Sequence, residues 1–182
     1  MSPRVCPWWG GYFLDNPLRR LLHPPEKIVG PWIRPGMTVM DFGCGMGWFA
    51  IPMARMVGPQ GQVIAVDVQP KMLEVLGRRA DRAAVADRVR IHGSEPGRID
   101  LQVPCDFILA FWALHETAEP AAILAEMASC LRSAGCLLLV EPRLHVSGKW
   151  FRRMAATAQD LGLRPSPGPR VRLSRAALLA KD

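Results

Sequence analysis

The chain has 182 residues, 49% of them hydrophobic and 21% charged, with a formal net charge of +7. That length favours one domain with a continuous core and leaves no room for a separate substrate domain. The composition excludes a disordered chain, and no run reaches the roughly 18 apolar residues that a membrane span needs.

The N-terminus, Met1-Ser2-Pro3-Arg4-Val5-Cys6-Pro7-Trp8-Trp9-Gly10, is broken by prolines and lacks the apolar stretch of a signal peptide, so a cytoplasmic protein with no membrane partner is expected. Residues 1–34 read as an arm. Trp8, Trp9, Tyr12 and Phe13 cluster ahead of Pro24-Pro25, and a helix is expected from Glu26 to Ile33. The arm is expected to cover the active-site edge of a domain spanning residues 35–182, its aromatics serving either as a lid or as packing.

From Pro35 onward, apolar runs alternate with helical periodicity, the mark of an α/β domain with a mainly parallel sheet. The first strand is Thr38–Phe42, followed by a helix from Gly47 to about Val57 with Pro52 in its first turn. A second strand, Val63–Asp67, leads to a helix from Pro70 to about Ala84. A short third strand covers Val89–His92. The fourth is Asp106–Ala110 and is followed by an amphipathic helix from Glu119 to Arg132, with Ala134-Gly135 as its stop. A fifth strand, Cys136–Val140, is apolar throughout, as expected where both faces are covered. Ser147 caps a last helix to Leu161, and two short strands, Arg170–Leu173 and Ala176–Ala180, close the chain.

The stretch Val39-Met40-Asp41-Phe42-Gly43-Cys44-Gly45-Met46-Gly47-Trp48-Phe49 carries the chemistry. A strand enters a loop with glycine at alternate positions and then a helix, so backbone approaches a ligand closely and the helix start offers free N–H groups. A dinucleotide loop reads G-x-G-x-x-G, but Trp48 stands where that third glycine would fall. Asp41, two residues before Gly43, would repel a pyrophosphate and suits an ammonium group. S-adenosylmethionine carries that ammonium and no phosphate. Asp67 ends the second strand, where a carboxylate can accept from both hydroxyls of a ribose.

Val39–Gly47, Val63–Asp67, Cys105–Ala110 and Cys136–Pro142 together resemble the successive motifs of class I S-adenosylmethionine-dependent methyltransferases, closest to the small ubiquinone-biosynthesis and type 11 kinds. The resemblance covers about Glu26 to Lys181. It implies a Rossmann-like, seven-stranded, mostly parallel sheet of order 3-2-1-4-5-7-6 flanked by helices, the last strand antiparallel. By motif position it implies Gly43, Cys44 and Gly45 along the methionine moiety and Asp41 near its amino group. Asp67 would hold the ribose, with Val68 beside the adenine. The family's usual adenine-binding Asp is replaced by Gly93-Ser94-Glu95, which makes Ser94 or Glu95 the substitute. Phe111 or Trp112 would sit near the transferred methyl.

His115-Glu116 follow the fourth strand on the edge where ligands bind in open α/β sheets, either as a general base or as a capping and pocket-wall pair. Glu141 and His145 are weaker candidates of the same kind. Cys105 follows Pro104 but precedes the fourth strand, which excludes the cytosine-methylating nucleophile, and Asn16-Pro17 lacks the proline and aromatic of amino-methylating enzymes. The five cysteines, Cys6, Cys44, Cys105, Cys130 and Cys136, include no CxxC pair, so neither a disulfide framework nor a metal site is expected.

Only four of the 23 basic residues are lysines (Lys27, Lys71, Lys149 and Lys181), and the arginines are scattered along the chain. They read as a solvated surface or as attraction to an anionic partner such as RNA. A small-molecule methyl acceptor is the leading expectation. An RNA methyltransferase and a non-catalytic S-adenosylmethionine-binding protein are the alternatives.

Overall fold

The computed structural model describes residues 21–182. Trp8, Trp9, Tyr12, Phe13 and Asn16-Pro17 lie outside the described residues. The strands are β1 Thr38–Phe42, β2 Gln62–Asp67, β3 Val89–Gly93, β4 Cys105–Phe111, β5 Leu131–Pro142, β6 Leu163–Ser166 and β7 Ser174–Lys181. The α-helices are α1 Pro25–Ile28, α2 Ala50–Val57, α3 Pro70–Arg82, α4 Pro120–Cys130 and α5 Gly148–Asp160. The sheet order is β3-β2-β1-β4-β5-β7-β6, the Rossmann-like arrangement expected above. The first five strands pair in parallel, and β7 runs antiparallel to both β5 and β6.

The two-residue period of the strands divides the core into two layers. Val39, Val63, Ala65, Phe107, Leu109, Leu138 and Val140 pack with α2 and α3 on one face. Met40, Ile64, Val66, Ile108, Ala110, Leu137 and Leu139 pack with α4 and α5 on the other. Central strands buried on both faces need side chains that are apolar at every position, so they read as continuous runs. Prolines at the first positions of α3 and α4 supply a fixed φ where no N–H is needed, and the Ser147 side chain caps α5 by accepting from Trp150 N–H at 3.1 Å.

Four sequence expectations are corrected. The helix expected over Glu26–Ile33 is a single turn, because Pro31 cannot continue it, and a 3-10 turn over Gly30–Trp32 follows. The helix after β1, expected from Gly47, begins at Ala50, with a turn over Gly47–Phe49 ahead of it. α4 ends at Cys130, and Leu131 already pairs with Cys105 of β4. Lys181 Nζ closes that helix end by donating to Ala128 O at 2.7 Å and Leu131 O at 2.8 Å. Ala134-Gly135 therefore lie in an irregularity within β5 and do not stop a helix. Pairing resumes only at Phe107 with Cys136, and Ala134 takes φ 62°.

The fourth correction concerns the terminal strands. Arg170–Leu173 is not a strand, and the partner of β7 is Leu163–Ser166. Pro165 made that segment read as loop, but an edge strand accommodates proline because its N–H faces no partner.

Candidate active site

β1 is the switch point of the sheet, with β2 on one side and β4 on the other, and the loops at the carboxyl ends of these strands are where open α/β sheets place their ligands. Gly43 N–H and Cys44 N–H both donate to Val66 O, at 2.8 and 3.0 Å, which ties the glycine loop to the end of β2. Gly43 has φ +72°, and a Cβ there would collide with the Ala113 Cβ. Gly45 has φ +52°, and a Cβ there would meet nothing within 4 Å. The first glycine is thus required by its protein neighbour, and the second leaves its backbone approachable.

Asp67 braces the same loop. Its carboxylate accepts from Gly45 N–H and Gln69 N–H, each at 2.9 Å. Burial raises the Asp67 pKa, and these backbone N–H groups oppose the rise. Asp41 is 2% exposed beneath the loop. Burial and then the Asp41 and Asp67 charges push the Cys44 thiol well above its ordinary value, so Cys44 lines the loop as a neutral thiol. Val68 is half-buried, and Ser94 N–H donates to Asp67 O at 3.1 Å. Ser94 Oγ is buried and has no hydrogen-bond partner. Glu95 is exposed, and its backbone O accepts from Arg98 N–H at 3.1 Å across a tight turn.

On the β4 side, Phe111 is 5% exposed and its ring packs on Phe49 with centroids 4.6 Å apart. Trp112 adopts φ 57° just past the strand and donates through Nε1–H to Ser174 Oγ at 2.9 Å. His23, from the arm, sets its ring edge-on to Phe111 and Trp112 at 5.3 and 5.0 Å, and its Nε2 meets Arg172 O at 2.9 Å. Nothing in the sequence pointed to His23, because its partners belong to segments far away in the chain.

His115 lies in a 3-10 turn, Leu114–Glu116, after β4. Its Nδ1 is 2.5 Å from Glu141 Oε2, and its backbone N–H donates to Glu141 Oε1 at 3.2 Å. Glu141 is fully buried: β5 runs past the apolar Cys136–Val140 stretch to Pro142 and so carries one carboxylate near its carboxyl end. Burial disfavours charge on His115, but the hydrogen bond and charge of Glu141, with the charge of Glu116, outweigh it and raise the imidazole pKa. Burial raises Glu141 as well, against the hydrogen bonds from His115. Both directions describe one unit that holds a shared proton tightly. His145 is exposed in the following turn.

The donor set fits S-adenosylmethionine. Two carboxylates at the glycine loop match an ammonium and a ribose, an approachable Gly45 backbone admits a ligand, and the buried Ser94 Oγ awaits a polar partner. The same two carboxylates oppose a pyrophosphate. Among the described residues no cluster of His, Cys, Asp and Glu forms a metal site.

A methyltransferase-domain family model matches residues 33–162. A ribosomal protein L11 methyltransferase of Aeromonas hydrophila is 29% identical over 136 residues, covering 71% of this chain and 46% of that protein. A demethylmenaquinone methyltransferase of Symbiobacterium thermophilum is 31% identical over 119 residues, covering 64% and 47%. The chain spans about half the length of these curated relatives. Among solved structures, an S-adenosylmethionine-dependent methyltransferase from Aquifex aeolicus matches with a TM-score of 0.85 at 24% identity, covering 98% of this chain and all of that one, and shows the shared fold.

Proposed function

The chain belongs to the methyltransferase-domain family, and from that membership we propose that it is an S-adenosylmethionine-dependent methyltransferase acting on a small-molecule acceptor. The observation that carries this reading is the Asp67 carboxylate bonded to the N–H of Gly45, a left-handed glycine whose side faces no protein atom. When bound, the cofactor supplies an electrophilic methyl on a sulfonium that loses its charge on transfer. Asp41, Gly43, Cys44 and Gly45 hold the amino-acid portion. Each Asp67 oxygen keeps lone-pair capacity for a ribose hydroxyl beside its backbone bond. Val68, Ser94 and Glu95 border the adenine, with Ser94 Oγ as the polar contact.

Phe111 walls the site on the β4 side. The rings of His23, edge-on, and of Phe49 and Trp112, tilted, pack against it and narrow that edge, which supports a compact acceptor. His115, with Glu116 beside it, removes the acceptor proton where the acceptor carries one, and Glu141 orients the imidazole through Nδ1. The remaining contribution is alignment of the nucleophile and exclusion of water.

Calorimetric titration with S-adenosylmethionine and S-adenosylhomocysteine tests the reading. Wild type should bind both. Asp67→Ala should bind at least ~100-fold more weakly, because two hydrogen bonds to a charged group are worth roughly 1.5–3 kcal/mol each. Unchanged binding in that variant sinks the assignment. The RNA-acceptor reading draws on the segment 142–181, which holds Asp160 as its single acid. It requires RNA binding that falls steeply with salt.

A further inference from the structure

Two turns stand side by side at the carboxyl edge of the sheet. One follows β5 and is closed by Val146 N–H donating to Pro142 O at 3.0 Å; the other precedes β7 and is closed by Ser174 N–H donating to Val171 O at 3.3 Å. Arg143 joins them, its backbone N–H donating to Leu173 O and its Nε to Ser174 O, each at 3.0 Å. Each turn presents an Arg-Leu pair, Arg143-Leu144 and Arg172-Leu173. Leu144 is 89% exposed and Leu173 58% exposed, while Val146 and Val171 anchor the turns below. Leu173 also holds φ 56°, a conformation that Gly or Asn adopts more readily.

Two of the five large hydrophobics exposed among the described residues, Leu144 and Leu173, therefore sit on adjoining turns at one edge. The charged residues of the two chain segments that flank the turns, 143–153 and 164–175, are all basic. Arg170, Lys149, Arg152 and Arg153 are exposed in the flanking segments, and Asp160 lies at the far end of α5. Arginines that look scattered along the sequence are brought together by the return of β7 alongside β5.

We infer that this edge is a docking surface for an anionic lipid bilayer, with the leucine tips entering the headgroup region and the arginines facing lipid phosphates. Apolar turn tips ringed by cations match that interface. A nucleic-acid surface has no use for solvent-facing leucines, which the phosphates would leave hydrated. The turn at Val171–Ser174 is bonded to Trp112 through Ser174, so the surface adjoins the acceptor side of the site. Resting on the proposed methyl-transfer reading, this makes the acceptor an amphiphile that reaches the site from the membrane plane.

The test is co-sedimentation of the full chain with phosphatidylcholine vesicles, with and without phosphatidylglycerol, alongside S-adenosylmethionine binding by calorimetry. Wild type should bind only the anionic vesicles. Leu144→Ser with Leu173→Gly should weaken this by roughly tenfold, and Arg170→Ala should weaken it by roughly fivefold. These variants should keep wild-type cofactor binding and melt no lower than wild type, Leu173→Gly being relieved of its left-handed φ. Absent vesicle binding, or binding that the leucine variant leaves unchanged, overturns the inference. So does salt-sensitive binding of an RNA homopolymer, in place of vesicles, that survives the leucine changes. Vesicle binding without cofactor binding would sink the methyl-transfer reading and leave the surface standing.

Discussion

Gly43→Ala is the sharpest perturbation of the loop, because its two consequences separate. At φ +72°, alanine loses roughly 1–2 kcal/mol to the left-handed conformation. Its Cβ also collides with the Cβ of Ala113, which cannot rotate away, and overpacking of this kind costs a further ~1–3 kcal/mol. The expected loss is about 2–5 kcal/mol by urea unfolding. In an Ala113→Gly background the collision disappears, and the loss from Gly43→Ala should shrink to the backbone part, about 1–2 kcal/mol. Gly45→Ala provides the contrast. Its Cβ meets no protein atom, so stability should fall by only ~1–2 kcal/mol while S-adenosylmethionine binding is lost. Equal losses from Gly43→Ala in both backgrounds would refute the close approach of Ala113, and unimpaired cofactor binding by Gly45→Ala would refute the placement of the ligand.

His115→Ala should cost about 3 kcal/mol at neutral pH, since it strands a buried carboxylate, and His115→Leu/Glu141→Leu should be the more stable variant. Both pKa values of the pair are raised in the folded state, so its stability is complete below the unfolded values and is lost as pH rises through the folded ones. Wild-type melting temperature should fall as pH climbs through and above the ordinary imidazole range; a fall of the same size in the double variant would remove the pair as its cause. Lys181→Met deletes two hydrogen bonds to the carbonyl end of α4 and should lower stability by ~1–3 kcal/mol by chemical denaturation; no change would mean that water satisfies Ala128 O and Leu131 O equally well.

What the sequence determined by itself is local. The spacing Gly43-x-Gly45-x-Gly47 after an apolar strand, with acids at Asp41 and Asp67, specifies a loop whose backbone must take left-handed dihedrals, and the structure has all three glycines at positive φ. The apolar runs of β1, β2, β4 and β5 were legible because a strand covered on both faces needs apolar side chains at every position.

Tertiary structure decided which segments meet. Periodicity reports the face of a side chain but not its neighbour across the sheet, so the partner of His115 reads as Glu116 along the chain and is Glu141 across two adjacent strand ends. The same reason hid Ala113 beneath Gly43, His23 against Phe111, and the Arg-Leu turns that only the pairing of β5 with β7 sets side by side. β6 was missed because prolines that mark a loop in sequence are tolerated on an edge strand, and only the register with β7 shows that Leu163–Ser166 occupies that edge.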